Sequence, residues 1–576
     1  MKYYNMPDSA RKKNIKFYKQ LLTFFKYLKP YWLEIGISYL MSFLSNGVNL
    51  IIPLVMMALI DSLKKGMSIN VLLLLILFYI TISLFSIIIQ YLEQLLNQYC
   101  SGFIILNIKN DLYKHVLDLP MWYFTKETPA QLLNKINNDT GAFAIFINGT
   151  LKKYIINVFN VVAILYIARN IGTEYLLIVV ISTILFYIVT LRFSKYQRNI
   201  EKTNSQTRGN IFNILLEAIG SIDIVKAYLT EDFERNKFYN ASIGQINIGL
   251  NSLRIRFKRM AINQVVDLFL FAFIYGYGGY QVIIGKITIG GLIAINQYTQ
   301  QLRSGLSSFG SQYEGLAAAL GQLERVIDIF NIVPETRLNA DGKYKPVSCK
   351  GNVVFDNVSF SYEKDEIILE KASFEINPGE KVLFVGNSGI GKTTVIKLLL
   401  RYYKPDSGTI YVDKYDISTL DISAYRGEFG VVLQEMKLFS GTIRDNIIYG
   451  CNDISEEKII NATKMAQIHE FIDSLPDKYE TKVNANFAEL SGGQKQRMFL
   501  ARAILKNPTI LIFDEAFNSL DSKTDIAIKE SLNTVFADTT CIIIAHDKNS
   551  YNYVDKIYLI ENKLVTPLNN LELIKL

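Results

Sequence analysis

The sequence predicts two folds in series: an all-α membrane domain of six transmembrane helices with long cytoplasmic extensions, then an α/β domain of the phosphate-loop type. Three observations carry this. Uncharged apolar runs crowd the first half of the chain, and the linker-like residues Pro334, Asn339, Asp341, Gly342 and Pro346 break the pattern. Beyond them GNSGIGKTT, Gly386–Thr394, lies between an apolar strand and a helix. The boundaries read as 1–30 for an amphipathic N-terminal helix, 31–325 for the membrane domain, 326–350 for the linker and 351–576 for the α/β domain.

Composition agrees. Half of the 576 residues are hydrophobic, and the chain carries 35 Tyr and 34 Phe. Mean hydropathy is +0.18, too apolar for an ordinary soluble enzyme of this size. Net charge is +8. The basic residues cluster beside apolar runs, which favours an anionic membrane surface over nucleic acid as the partner. Cys100, Cys349, Cys451 and Cys541 form no CxxC, and His115, His469 and His546 are scattered, so neither a disulfide framework nor a zinc site is expected.

The N-terminal stretch mixes Lys12, Lys13, Lys16, Lys19, Lys26 and Lys29 with Phe17, Leu21, Phe24 and Leu28, the composition of a helix lying on a membrane. No apolar h-region precedes the first span, so no cleavable signal peptide is expected. The spans read as Ile35–Ile60, Val71–Leu92, Tyr154–Ala168, Tyr175–Leu191, Ile262–Gly285 and Ile287–Leu302. The connections after the first, third and fifth spans are short and carry few charges. Those after the second and fourth are long, and the latter is rich in Lys and Arg. Basic loops belong inside, so both ends of the six-span unit are cytoplasmic. Asn46, Asn49, Gln90, Asn157, Asn160, Asp267, Asn296 and Gln297 fall inside spans. Such residues either hydrogen-bond between helices or line a cavity, and Asp267 must face water or a partner.

In the second half, Val382–Val385 reads as a buried strand feeding the phosphate loop. Gly386, Gly389 and Gly391 let backbone N–H groups close on a phosphate, with Asn387, Ser388, Ile390 and Thr394 completing the loop. Lys392 supplies charge at the β/γ-phosphates, and the Thr393 hydroxyl is placed to ligate Mg²⁺. Tyr362, after an alternating strand, offers a ring for a purine base. Gln434 ends the apolar run Val431–Leu433 and suits Mg²⁺ or an attacking water. Ser491 is a natural N-cap for a helix opening Gly492–Gly493–Gln494, a second N-terminus open to an anion. Ile510–Phe513 is a buried strand ending in Asp514, suited to Mg²⁺, and Glu515, suited to polarise water. His546 follows the strand Cys541–Ala545, at the edge where α/β sites gather.

In this order these residues resemble the ATP-binding cassette (ABC) transporters of the exporter type, as a half-transporter with its membrane domain fused ahead of its nucleotide-binding domain. The resemblance makes the second half an α/β P-loop ATPase domain. GNSGIGKTT resembles the family's Walker A motif, LSGGQ its signature, ILIFDE its Walker B and Ser519–Leu520–Asp521 its D-loop. It implies Gln434 as the Q-loop glutamine, His546 as the switch histidine and Tyr362 as the adenine-stacking aromatic. ATP and Mg²⁺ are the implied ligands, bound between Walker A of one subunit and Ser491, Gly492, Gly493 and Gln494 of another. Glu515 would act as base and His546 would stabilise the γ-phosphate.

The implied partners are a second copy or a second half-transporter, the lipid bilayer and a small hydrophobic or peptide substrate, with no nucleic acid. The implied location is the bacterial cytoplasmic membrane. The expected activity is ATP-driven export of a drug, lipid or peptide. Export of a peptide matured elsewhere, or import on the same fold, are the alternatives, and no leader-cleaving protease domain is expected. Leu119–Phe124 resembles the first coupling helix, and a second should lie near Asn204–Asn213. The chain departs from the family pattern at Thr128–Pro129–Ala130 and Asn484–Ala485–Asn486–Phe487.

Overall fold

The computed structural model describes residues 23–64, 68–171, 184, 188, 200, 203–204, 206–335, 349–363, 366–433, 436–451, 454–483, 490–515, 538–545 and 554–568. Two compact units emerge. One comprises the described residues of 14–114 and 130–330, the other those of 115–129 and 331–576.

The first unit is helical. Its main elements are α1 (Trp32–Lys64), α2 (Ile69–Leu117, whose last residues pass into the other unit), α4 (Pro129–Asn137), α5 (Lys152–Ile171), α6 (Glu231–Ile283) and α7 (Ile289–Asn331). The short helix α3 (Met121–Lys126) lies between α2 and α4 in the chain and belongs to the second unit. Pro129 opens α4, where a missing N–H costs no helical bond. That gives the departure at Thr128–Ala130 a local role.

Among the described residues four helical stretches are long and apolar enough to cross a membrane: Phe25–Lys64, Ile69–Leu117, Gln131–Asn170 and Glu231–Ile283. They contain the first, second and third predicted spans and all but the last two residues of the fifth. Most of the fourth span and most of the N-terminal helix lie outside the described residues. The sixth is helical within α7, but Asn296, Gln297, Gln300 and Gln301 keep it too polar to count with the other four. The 49 residues of α2 and 53 of α6 extend roughly 75–80 Å, far beyond a hydrocarbon core of about 30 Å. That length supplies the predicted extensions. Helix α7 runs through Asn331, so residues assigned to the start of the linker, Val326–Asn331, are its last turns.

Three of the in-span amides, Asn46, Asn49 and Asn160, bond between helices, while Gln90 bonds within α2. Asn160 donates to Asn46 at 3.1 Å, Ser86 to Asn49 at 3.1 Å and Gln90 to Ser86 at 3.2 Å. Tyr298 donates to the Leu50 carbonyl at 2.6 Å. A charged cluster sits deeper: Lys152, 2% exposed, pairs with Glu93 at 2.7 Å and donates to Ser38 at 2.8 Å. Ser42 donates to the same Glu93 carboxylate. At the other end of α1, Asp61 accepts the Gly290 N–H at 2.9 Å, capping the first turn of α7. A Cβ on Gly290 would stand 2.4 Å from the Met57 carbonyl, so the two helix backbones touch there.

The second unit stacks two sheets. One is antiparallel, ordered β2-β1-β4-β5: β1 (Val353–Glu363), β2 (Glu366–Ile376), β4 (Ser407–Val412) and β5 (Tyr415–Asp416). The other is ordered β12-β11-β3-β10-β9-β6: β3 (Lys381–Val385), β6 (Phe429–Val432), β9 (Ile510–Asp514), β10 (Thr540–Ile544), β11 (Lys556–Glu561) and β12 (Leu564–Pro567). Strands β7 (Gly441–Thr442) and β8 (Lys482–Val483) form a separate pair. All pairings in the larger sheet are parallel except β11 with β12. Strands β9 and β10 are buried at every residue, which is why they read as unbroken apolar runs. On one face Phe355, Phe374, Phe384 and Tyr558 join the two sheets, with Phe374 and Phe384 centroids 5.4 Å apart. The other face packs on the helix that follows the signature, through Met498, Leu500 and Ala501.

Candidate nucleotide-binding site

The parallel register fixes where the chemistry gathers. Ile544 lies beside both Phe384 and Asp514, so the carboxyl ends of β3, β10 and β9 share one edge. The phosphate loop leaves β3 at that edge and leads into α8 (Lys392–Leu399), with Gly391 as its N-cap. Gly391 has φ +118° and Gly386 +150°, and a Cβ at either would collide with Ile368 or the Ile560 carbonyl at under 3 Å. Only glycine fits both the backbone conformation and the space.

Lys392 is buried, and its Nζ donates to the Gly386 and Asn387 carbonyls at 2.8 and 2.9 Å. The ammonium therefore lies folded across the loop it serves. Burial pulls its pKa below the ordinary lysine value, against the opposing fields of Glu515 and Asp514. The Thr393 hydroxyl reaches the Asp514 carboxylate at 3.5 Å. Burial holds the Asp514 carboxyl above its usual range, and Glu515 adds to that, while the Thr393 hydrogen bond, Lys397 and Lys392 oppose it. A hydroxyl and a carboxylate facing each other at a buried edge form an all-oxygen donor pair, which fits Mg²⁺.

Glu515 follows with φ +52°, its N–H held by the Ile544 carbonyl at 2.9 Å. A left-handed glutamate costs roughly 1–3 kcal/mol of strain. Here the bond to the neighbouring strand holds it at the end of β9.

Tyr362, near the end of β1, shares a hydrogen bond of 3.2 Å with Thr394 on α8. Tyr403 meets its ring edge-on at 5.1 Å, and the Lys397 ammonium stands 5.5 Å from its centroid. The Thr394 side chain is buried and committed to this contact. Ser491 caps α10 (Gly492–Leu505; α9 is Ile422–Gly427). Its hydroxyl accepts from the Gln494 N–H at 3.2 Å, and Gln494 Oε1 accepts from the Ser491 N–H at 2.8 Å. The amide of Gln494 thus serves the cap, leaving the Gly492 and Gly493 N–H groups at the helix's open end.

The structure brings Gly386, Asn387, Lys392, Thr393, Asp514 and Glu515 to one edge and ties Tyr362 to the same helix. Ser491–Gln494 belong to a separate helix with its own cap. Gln434, His546, Ser519–Asp521 and Asn484–Phe487 lie outside the described residues.

The membrane unit holds a cavity of about 430 Å³ between α6 and α7, lined by Leu268, Phe271 and Ile274 and by Asp267, Asn296, Gln300 and Arg303. Asp267 pairs with Arg303 through one oxygen. Its other oxygen is buried with no hydrogen-bond partner among the described residues. Sequence reading singled out Asp267 and Asn296 but gave no sign of Arg303, Glu93 or Lys152. Those three charges bound or lie just outside apolar runs, where they look like ordinary helix-end residues.

Two family models match the chain: ABC transporter transmembrane region over residues 35–306 and ABC transporter over residues 369–518. A Bacillus subtilis (strain 168) protein named "Putative multidrug export ATP-binding/permease protein YgaD" is 29% identical over 547 residues, covering 94% of each chain. A Staphylococcus aureus (strain NCTC 8325 / PS 47) protein of the same description is 31% identical over 551 residues, again 94% of each. Among solved structures, that of a bacterial Atm1-family ABC exporter with ATP bound superposes with a TM-score of 0.82 at 25% identity, covering 95% of this chain and 96% of the other.

Proposed function

The chain belongs to the ABC transporter family, as a multi-pass membrane protein that couples ATP hydrolysis to transport on an ABC exporter fold, and from that premise we propose that it exports an amphipathic molecule bearing a hydrogen-bond-donating or cationic group. The cavity between α6 and α7 carries this reading. Its wall is apolar on Leu268, Phe271 and Ile274, and Asp267 in its lining keeps one buried carboxylate oxygen that no described residue satisfies. A buried acceptor without a donor is costly, and a ligand N–H relieves that cost. Asp267 lies about 24 Å along α6 from its end at Ile283. With the short α6–α7 connection outside, the cavity falls in the cytoplasmic half of the span.

At the nucleotide end, Lys392 leaves the Gly386 and Asn387 carbonyls and turns to the β/γ-phosphates, and the loop N–H groups close on the same oxygens. Thr393 and Asp514 would hold Mg²⁺, with Gln434 as a third oxygen donor. The ion, when bound, neutralises charge on the β- and γ-phosphate oxygens. Glu515 accepts the proton of the attacking water, and His546 holds the γ-phosphate. Tyr362 takes the adenine. Two copies of the chain close head to tail, the Ser491–Gly493 helix end of each on the ATP of the other, and their closure turns the membrane domains outward. The reading places the protein in a bacterial cytoplasmic membrane.

The test is the ATPase rate of the purified chain in lipid nanodiscs against lipids, lipophilic cations and small peptides. Basal turnover by the chain alone supports the homodimer, and stimulation by lipophilic amines that disappears in Asp267→Asn supports the cavity reading. Robust turnover that no amphiphile alters sinks the substrate assignment.

A further inference from the structure

The helix that begins at the phosphate loop has an unusual far end. α8 stops at Leu399, and Arg401 turns left-handed at φ +55°. Carbonyls released at a helix end need outside donors. Here Tyr425 and Arg426, both on α9, supply them. Tyr425 Oη donates to Leu399 at 2.6 Å, Arg426 Nε to Leu400 at 3.0 Å and Arg426 Nη2 to Arg401 at 3.2 Å. The guanidinium also lies over the Tyr402 ring, 5.0 Å from its centroid.

The other side of that guanidinium is a fork on Glu335. Nη1 and Nη2 reach the two carboxylate oxygens at 2.9 and 2.7 Å, with both side chains largely shielded from solvent. Glu335 stands four residues past the end of α7, and its own N–H donates to the Asp118 carbonyl at 2.7 Å. Asp118 immediately follows α2 and precedes Leu119, Pro120 and Tyr123, which are buried in this same unit.

A continuous path therefore runs from the phosphate loop through α8, Arg426 and Glu335 to Asp118. At its far end the chain continues into α2 on one side and α3 on the other, and Glu335 itself follows α7. We propose that Arg426 and Glu335 are a positioning pair that transmits nucleotide-driven movement of α8 to residues 115–129 and to the exit of α7. The pair touches neither the phosphate loop nor the cavity. Arg426 is suited to the task because its planar fork satisfies helix carbonyls and a carboxylate at once, which a lysine cannot do. The inference needs the nucleotide reading of the phosphate loop and is independent of the substrate.

The experiment follows hydrogen–deuterium exchange of the full chain in lipid nanodiscs, with and without saturating ATP and Mg²⁺, in wild type, Glu335→Gln and Arg426→Lys. The amides of Leu119, Tyr123 and Glu127, each bonded within the segment, are the reporters. In wild type, ATP is expected to change their exchange. In both variants that response falls about tenfold, the loss expected for one charge-assisted bond, while ATP affinity and melting temperature hold. A variant response equal to wild type overturns the proposal. So does a wild type that binds ATP without any change at these amides, or a loss of ATP affinity in step with the response, which would make the pair part of the binding site itself. A wild type that binds no ATP defeats the phosphate-loop reading instead, so the two failures are told apart.

Discussion

The nucleotide end of the second unit and the polar interior of the helical unit solve the same problem, holding polar groups away from water, in opposite ways. At the nucleotide end Thr393 meets Asp514 across 121 residues, but the lysine and the helix cap find their partners near in sequence. Lys392 lies on carbonyls five and six residues back, and Ser491 and Gln494 cap each other across three. In the helical unit the partners are remote: 114 residues separate Lys152 from Ser38 and Asn160 from Asn46, and 248 separate Tyr298 from Leu50. A local device keeps its geometry when the rest of the fold is disturbed. A remote one exists only when the helices are already in register. Substitutions at the loop should therefore change chemistry with little effect on assembly, and substitutions among the helices should do the reverse.

The sharpest test is Glu515→Gln, expected to lower kcat for ATP by about 10²–10⁴-fold, the usual yield of a general base, while ATP binding persists. Single-turnover assays and equilibrium binding separate the two, and a normal rate would remove Glu515 from its role. Next, Lys152→Met strands the Glu93 carboxylate and is expected to destabilise the helical unit by about 3–5 kcal/mol. Adding Glu93→Gln should recover most of that loss, read as thermal unfolding in detergent. If the double variant is no better than the single one, the pair is not the element being broken. Lys392→Ala should weaken ATP binding by roughly 10–100-fold, the worth of lost charge-assisted bonds, with melting nearly unchanged. A large drop in melting temperature instead would mean that the folded-back lysine is mainly structural and would blur the contrast between the two regions. The smallest effect is expected from Asn160→Leu, about 0.6–2 kcal/mol of helix association, with basal ATPase preserved.

The same contrast explains what the sequence disclosed. The phosphate loop, the Ser491 cap and the strand ending at Asp514 are short-range patterns, and each could be placed because its partners lie within one turn or one strand. The helical character of the first half and its extensions were legible from uncharged runs, with helix lengths to match. Asp267 could be singled out as an intramembrane carboxylate, but not its partner, because nothing local links residue 267 to Arg303. Glu93 and Lys152 gave no sign in the sequence, and the fold brings the buried Lys152 onto a half-buried Glu93. Arg426 and Glu335 stood inside an ordinary α/β pattern and an apparent linker, and only the fold brings a guanidinium to that carboxylate. Whether in-span amides line a cavity or bind neighbouring helices was likewise undecidable from composition. The register of the helices assigns Asn46, Asn49 and Asn160 to the second role and Asn296 to the first, while Gln90 bonds to Ser86 in its own helix.

The contact at Gly290 has a mechanical meaning. With Asp61 gripping the first turn of α7 and the Met57 backbone against it, the helices α1 and α7 are pinned together at one end. A helix of 43 residues pinned there is a lever about 65 Å long. Tilting it by some ten degrees sweeps its far tip, next to Glu335, through roughly 11 Å by the same geometry. Little need change at the pin for a large stroke to appear at the other end of the helix, and any side chain at position 290 would prise the pivot apart.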